Sequence, residues 1–134
     1  MSSNASQEDA SARDLAALQG VWEQVAHEAD GILNPPDEYS ASGTLTTFRG
    51  RHFEVRTVAG ELLLEGHFSL DASLTPKAIT WTDSIGEDAG KHLPASYVLD
   101  GEHFVFIATD EGCPRPTVFR TSPGQTMRAF VRRR

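Results

Sequence analysis

The sequence predicts an all-β domain, an antiparallel up-and-down β-barrel of about eight to nine short strands with a short N-terminal helix. Three observations carry this. Apolar and polar residues alternate with a period of two, most cleanly where Leu62, Leu64, Gly66, Phe68 and Leu70 oppose Glu65, His67 and Ser69. Turn signals recur at the roughly 8–12-residue spacing of a meander, among them Arg49-Gly50-Arg51, Ala59-Gly60, Asp100-Gly101 and Pro123-Gly124. No long crossover interrupts the hairpins, so neighbouring strands close on one another and remove exposed edges; an open sandwich is the alternative.

Residues 1–10 are small and polar and read as a disordered tail, leaving 11–134 as one domain. Residues 11–19 carry Ala12, Leu15, Ala16 and Leu18, with Ser11 as a cap and Asp14 three residues on. This helix lids one barrel end, and Gly20 terminates it. Trp22 then plugs that end, with an indole N–H that needs an acceptor. The first strand, 21–29, puts Trp22, Gln24, Ala26 and Glu28 on one face and Val21, Glu23, Val25 and His27 on the other. Residues 30–38, with Asp30-Gly31 and Pro35-Pro36, form the longest irregular connection, a loop at the open mouth.

Strands follow at 44–48, 52–57 and 61–70, where Gly66 marks a bulge or bend. A turn at 71–76 leads to a strand at 77–82. The polar loop 83–90 precedes a strand at 92–99, and Asp100-Gly101 turns into 103–109. After the loop 110–116, strands at 117–121 and 126–132 complete the set.

Asp and Glu outnumber Lys and Arg by 19 to 12, a net charge of −7 that argues against nucleic acid, whose phosphates need basic groups. The basic run Arg132-Arg133-Arg134 reads as a solvated tail, with contact to an anionic partner as the alternative. No apolar run is long enough for membrane insertion. The first residues lack the basic and apolar regions of a secretory leader, and Cys113 is the sole cysteine. These point to a cytoplasmic protein, monomer or homodimer.

Five motifs fall in order along 15–133: Leu18-Gln19-Gly20-Val21-Trp22, Phe53-Glu54-Val55, Pro76-Lys77-Ala78-Ile79, Tyr97-x-Leu99-Asp100-Gly101 and Arg115-Pro116-Thr117-x-Phe119. Together they resemble a bacterial lipocalin-like family, abundant in planctomycetes and without assigned chemistry. The resemblance implies a lipocalin-like β-barrel. Gly20 and Trp22 match the lipocalin Gly-x-Trp. The resemblance also implies a late arginine packed over that Trp, which is Arg128 or one of Arg132 to Arg134. The missing leader and disulfides depart from secreted lipocalins and from extracellular transport.

A barrel of this size holds side chains or one small ligand. Trp22, Gln24, Phe53, Phe68, Trp81, Tyr97 and Phe106 are the expected ligand-binding residues of the interior. Ala26, Met127 and Ala129 are also expected to point inward. The competing reading is that these aromatics simply fill the barrel. Gln24, Glu28, Asp83 and Tyr97 are the polar candidates. No cofactor is implied, and the five histidines show no metal-ligand spacing, so they read as solvated or locally bonded. Cys113 lies in a loop with nothing in sequence to activate it. Nucleophile-elbow, Walker and dinucleotide motifs are missing. The expected function is binding of a small hydrophobic or amphipathic molecule. One alternative is an enzyme using Tyr97, Glu28 or Asp83 for acid/base chemistry, with Glu28 and Asp83 as a pair. The other is an interaction module that uses the 30–43 loop or an outer face.

Overall fold

Period-two alternation punctuated by tight turns produces the expected closed sheet. The computed structural model describes residues 3–33 and 43–133, with backbone alone for 3–9. The elements are α1 (Ser3–Leu18), β1 (Gly20–Ala29), β2 (Ile32–Leu33), β3 (Leu45–Arg49), β4 (His52–Arg56), β5 (Leu62–Asp71), β6 (Lys77–Asp83), β7 (His92–Leu99), β8 (His103–Ala108) and β9 (Thr126–Arg132). From β3 onward each strand pairs antiparallel with the next, β3 pairs with β1, and β9 returns to β1. Eight strands thus form the barrel, and β2 is an extra strand on β1. The described helix is not long and apolar enough to cross a membrane.

Four local expectations change. The helix begins at Ser3, not Ser11, because nothing in 3–10 is a helix breaker. The Ser11 hydroxyl instead accepts a hydrogen bond from the Ala72 N–H, tying α1 to the turn after β5. Asp30-Gly31 is not an interruption but a two-residue hairpin turn. Both residues have positive φ, 53° and 80°, as a primed turn requires, and they set Ala29 opposite Ile32. The rest of the expected mouth loop, 34–42, lies outside the described residues. Residues 117–121 form no strand. Gly66 carries no bulge: pairing runs unbroken on both sides of it. It is glycine because β6 passes so closely that a Cβ would meet the Thr82 carbonyl oxygen.

One irregularity of pairing lies in β5 at Leu63, away from Gly66, and a bulge lies in β1, between Gln24 and Ala26. It inserts one residue and flips the side-chain phase. Trp22 and Gln24 are buried, Val25 and Ala26 are exposed, and His27 is buried. His27 is therefore the one histidine that is neither solvated nor at a turn.

Residues 109–125 form a strap over the outer face of the barrel. Ser96 donates from its hydroxyl to the Pro116 carbonyl, and Arg115 donates to Ser96 and to the Pro76 carbonyl. Glu28 accepts from both the backbone N–H and the hydroxyl of Thr121, each at 2.6 Å. Ile107, which points outward from β8, is fully buried. The strap explains why β9 inverts the expected pattern. Its apolar residues Met127, Ala129 and Val131 alternate onto the outer face, while Thr126, Arg128 and Phe130 point inward. Met127 and Ala129 are thus corrected to the outside, as Ala26 is by the bulge.

The barrel end under α1 is filled. Phe104 sits among Trp22, Phe48, Tyr97 and Phe130 at ring-centroid distances of 5.6–6.2 Å. Trp22 is fully buried and donates from its indole nitrogen to the Leu18 carbonyl at 2.8 Å. The Arg132 guanidinium lies over the Trp22 ring, 4.3 Å from its centroid. It also donates to the carbonyls of Ala17, Gln19 and Gly101. One side chain so satisfies the carbonyls at the end of α1 and covers the plug, a cation–π contact worth about 0.5–2 kcal/mol. Arg132 and Arg133 of the basic run are therefore built into the fold, with Arg134 outside the described residues: Arg132 caps the plug and Arg133 pairs with Glu23 at 2.8 Å. Asp14 holds the helix down, accepting from the Tyr97 hydroxyl at 2.6 Å and from Lys77 at 3.0 Å.

Candidate functional site

In the half of the barrel remote from α1 the filling stops. A cavity of about 220 Å³ opens there, bounded by the β-strand ends that point away from the helix. Phe53, Trp81, Phe106 and Phe130 form its aromatic wall, and Val55, Leu64, Leu93 and Ala108 extend the apolar surface. The Trp81 ring packs against Phe106 at 4.8 Å and Phe53 at 5.1 Å, which holds this wall rigid. Gln24, Thr46, Asp83, Thr126 and Arg128 contribute polar groups, and Asp88, Thr109, Asp110 and Gly124 complete the lining.

Each position follows from strand phase. Trp81 and Asp83 share the inward face of β6 with the fully buried Ile79. Gln24 is the last inward residue before the β1 bulge, and Arg128 of β9 donates to its side-chain oxygen at 3.2 Å. Asp83 is 9 % exposed, and among the described residues its carboxylate accepts no hydrogen bond and joins no ion pair. Burial, reinforced by the charge of Asp88, pushes its pKa up to about 6.

Four of the residues expected to bind ligand, Gln24, Phe53, Trp81 and Phe106, come together on the cavity. The other three do not reach it. Trp22 and Phe68 belong to the packed core. Tyr97 lies beneath the helix, where burial and then its bond to Asp14 push its pKa upward. The suggested pair of Glu28 and Asp83 is not assembled. Glu28 lies outside the cavity lining, and the Thr121 hydroxyl and then the Thr121 N–H hold its pKa below the usual carboxylate range. Sequence reasoning missed Arg128, Phe130, Asp88 and Asp110. Phase counted back from Phe130 would have placed Arg128 inside, but the apolar residues of β9 argue for the opposite phase until the strap is known.

Among the described residues no three histidine, cysteine or acidic groups gather as metal ligands. His92 bonds Thr82 at 2.9 Å, while His52 and His103 sit near Glu65 and Asp100. Cys113 is exposed on the strap. No family model, curated protein or solved structure matches the chain.

Proposed function

We propose that this chain is a lipocalin-like barrel that binds a small hydrophobic or amphipathic molecule in its open half. The observation that carries the reading is the aromatic-walled cavity of about 220 Å³, set above a core that is otherwise closely packed. An apolar cavity of about 150 Å³ suffices for benzene, so this one accommodates a molecule of about ten non-hydrogen atoms. The family resemblance is supported by Arg132 over Trp22, since a late arginine on that tryptophan is what the resemblance implies. The enzyme alternative loses the pairing of Glu28 with Asp83; of its three named residues, Asp83 lines the cavity and Glu28 and Tyr97 do not. A cytoplasmic setting remains our reading of the single free cysteine and the composition.

The test is titration of the protein with phenylpropanol, an uncharged probe of suitable size, read by tryptophan fluorescence. Saturable quenching is expected in the wild type and its loss in Ala108→Phe, which fills the cavity. An unchanged response in a folded Ala108→Phe protein, or no response in the wild type, refutes the reading.

A further inference from the structure

We infer that the molecule bound in this cavity is an amine, its protonated nitrogen seated against the Asp83 carboxylate and its apolar body against the aromatic wall. The inference rests on the ligand-binding reading above and adds the chemistry of the ligand's polar end.

The other structural carboxylates of this chain have donors. Asp14, Glu28, Asp71 and Asp100 each accept at least two hydrogen bonds. Asp83 is nine-tenths buried, lines the cavity, and accepts none among the described residues. A carboxylate removed from water without a partner is unfavourable, and the missing partner is a donor or a cation in the cavity. The cavity that Asp83 lines is the space for one. The residue directly across from Asp83 on β5 is Gly66, which has no side chain to shield it, and the close approach of β6 allows no larger residue there.

The remaining charges favour a cation over an anion. Asp88 and Asp110 line the same cavity beside Asp83; Asp88 is paired with Lys91 at 3.3 Å, and Asp110 is exposed at the rim. Arg128, the basic residue of the lining, already donates to Gln24. A ligand anion would meet the charge of Asp83, with Asp110 at the rim, whereas an ammonium is attracted by it. The wall suits the same guest, because the faces of Trp81 and Phe106 attract a cation as well as an apolar chain. The upward shift of Asp83 to about 6 is what an acid lacking its counter-charge shows.

The experiment compares three probes of one skeleton, phenylpropylamine, phenylpropanol and phenylpropionate, by calorimetric titration of the full chain at about pH 7.5, where the amine and the acid are both ionised. The amine is expected to bind at least about tenfold more tightly than the alcohol, and the acid most weakly. Asp83→Asn is expected to abolish the preference for the amine while leaving the alcohol's affinity unchanged. Carbon NMR of the Asp83 carboxyl in the wild type provides a reading free of any folding defect: saturating amine should lower its titration midpoint, and alcohol should not. Equal binding of amine and alcohol overturns the amine inference and leaves the ligand-binding reading standing. Tightest binding of phenylpropionate overturns it in favour of Arg128 as the anchor. No binding by any of the three removes both.

Discussion

A buried acid that accepts no hydrogen bond among the described residues has a stability signature. Asp83 titrates near 6 when folded, against an ordinary value of 3.8. Between those values the folded chain holds a proton that the unfolded chain has released. The stability associated with this proton is complete below 3.8 and is lost as pH rises through about 6. The charged groups sharing its cavity are Asp88, Asp110 and Arg128. Because the carboxyl faces an open cavity, the full shift is discounted to an effect of about 1–2 kcal/mol. Asp83→Asn should therefore stabilise the protein at about pH 8 and have little effect at about pH 4, as measured by urea unfolding. A second residue-scale prediction concerns Gly66. An added Cβ would lie 2.2 Å from the Thr82 carbonyl oxygen, a backbone atom held in the β5–β6 ladder. Gly66→Ala should lower stability by at least about 2 kcal/mol, and an unaltered melting temperature would contradict the close approach described here.

Two elements are attached to the barrel by few side chains, and each attachment is testable. The strap is joined to β1 by Glu28 through Thr121, and to β7 by Arg115 and Pro116 through Ser96. Glu28→Gln removes the charge that both Thr121 donors bind. Faster amide exchange and proteolytic cleavage confined to 109–125 are expected, with barrel strands unaffected. Since the folded pKa of Glu28 is lowered, its contribution is present above the ordinary carboxylate value of 4.5 and is lost as pH falls through the lower folded value. The helix is attached by Asp14, which takes donors from β6 and β7. Tyr97→Phe deletes one of them, a hydrogen bond to a charged group worth about 1.5–3 kcal/mol. Amide exchange in α1 should accelerate, and binding of phenylpropanol at the far end of the barrel should be unchanged. Altered probe affinity in Tyr97→Phe would show that the two ends are coupled.

At the scale of the whole molecule, one barrel is divided between support and cavity. Trp22, Phe48, Phe68 and Phe104 close the end under α1, and the same strands run on to leave the other end unfilled. A ligand that binds only the folded state stabilises it by RT ln(1 + [L]/Kd), about 2.7 kcal/mol at a hundredfold excess over Kd. Phenylpropylamine should therefore raise the melting temperature of the wild type, with a smaller rise for Asp83→Asn and none for Ala108→Phe.

What the sequence determined by itself was local: period-two alternation, the turn at Asp100-Gly101, the strand limits at 92–99 and 126–132, and a tryptophan plug after Gly20. These rest on backbone geometry and nearest-neighbour sterics, which a few adjacent residues specify. Gln24, Phe53, Trp81 and Phe106 were legible as interior residues for the same reason, because alternation fixes which residues share a face. Tertiary structure decided which face is inside. One inserted residue in β1 turned Ala26 out and His27 in, and the strap 109–125, folding back over the sheet just before β9, made the apolar face of β9 its outer one. It also decided which acids acquire donors: Glu28 meets Thr121 across 93 residues and Asp14 meets Tyr97 across 83, while Asp83 accepts no donor among the described residues and lines the cavity. No local pattern encodes those meetings, because a carboxylate's partners are set by how the sheet closes.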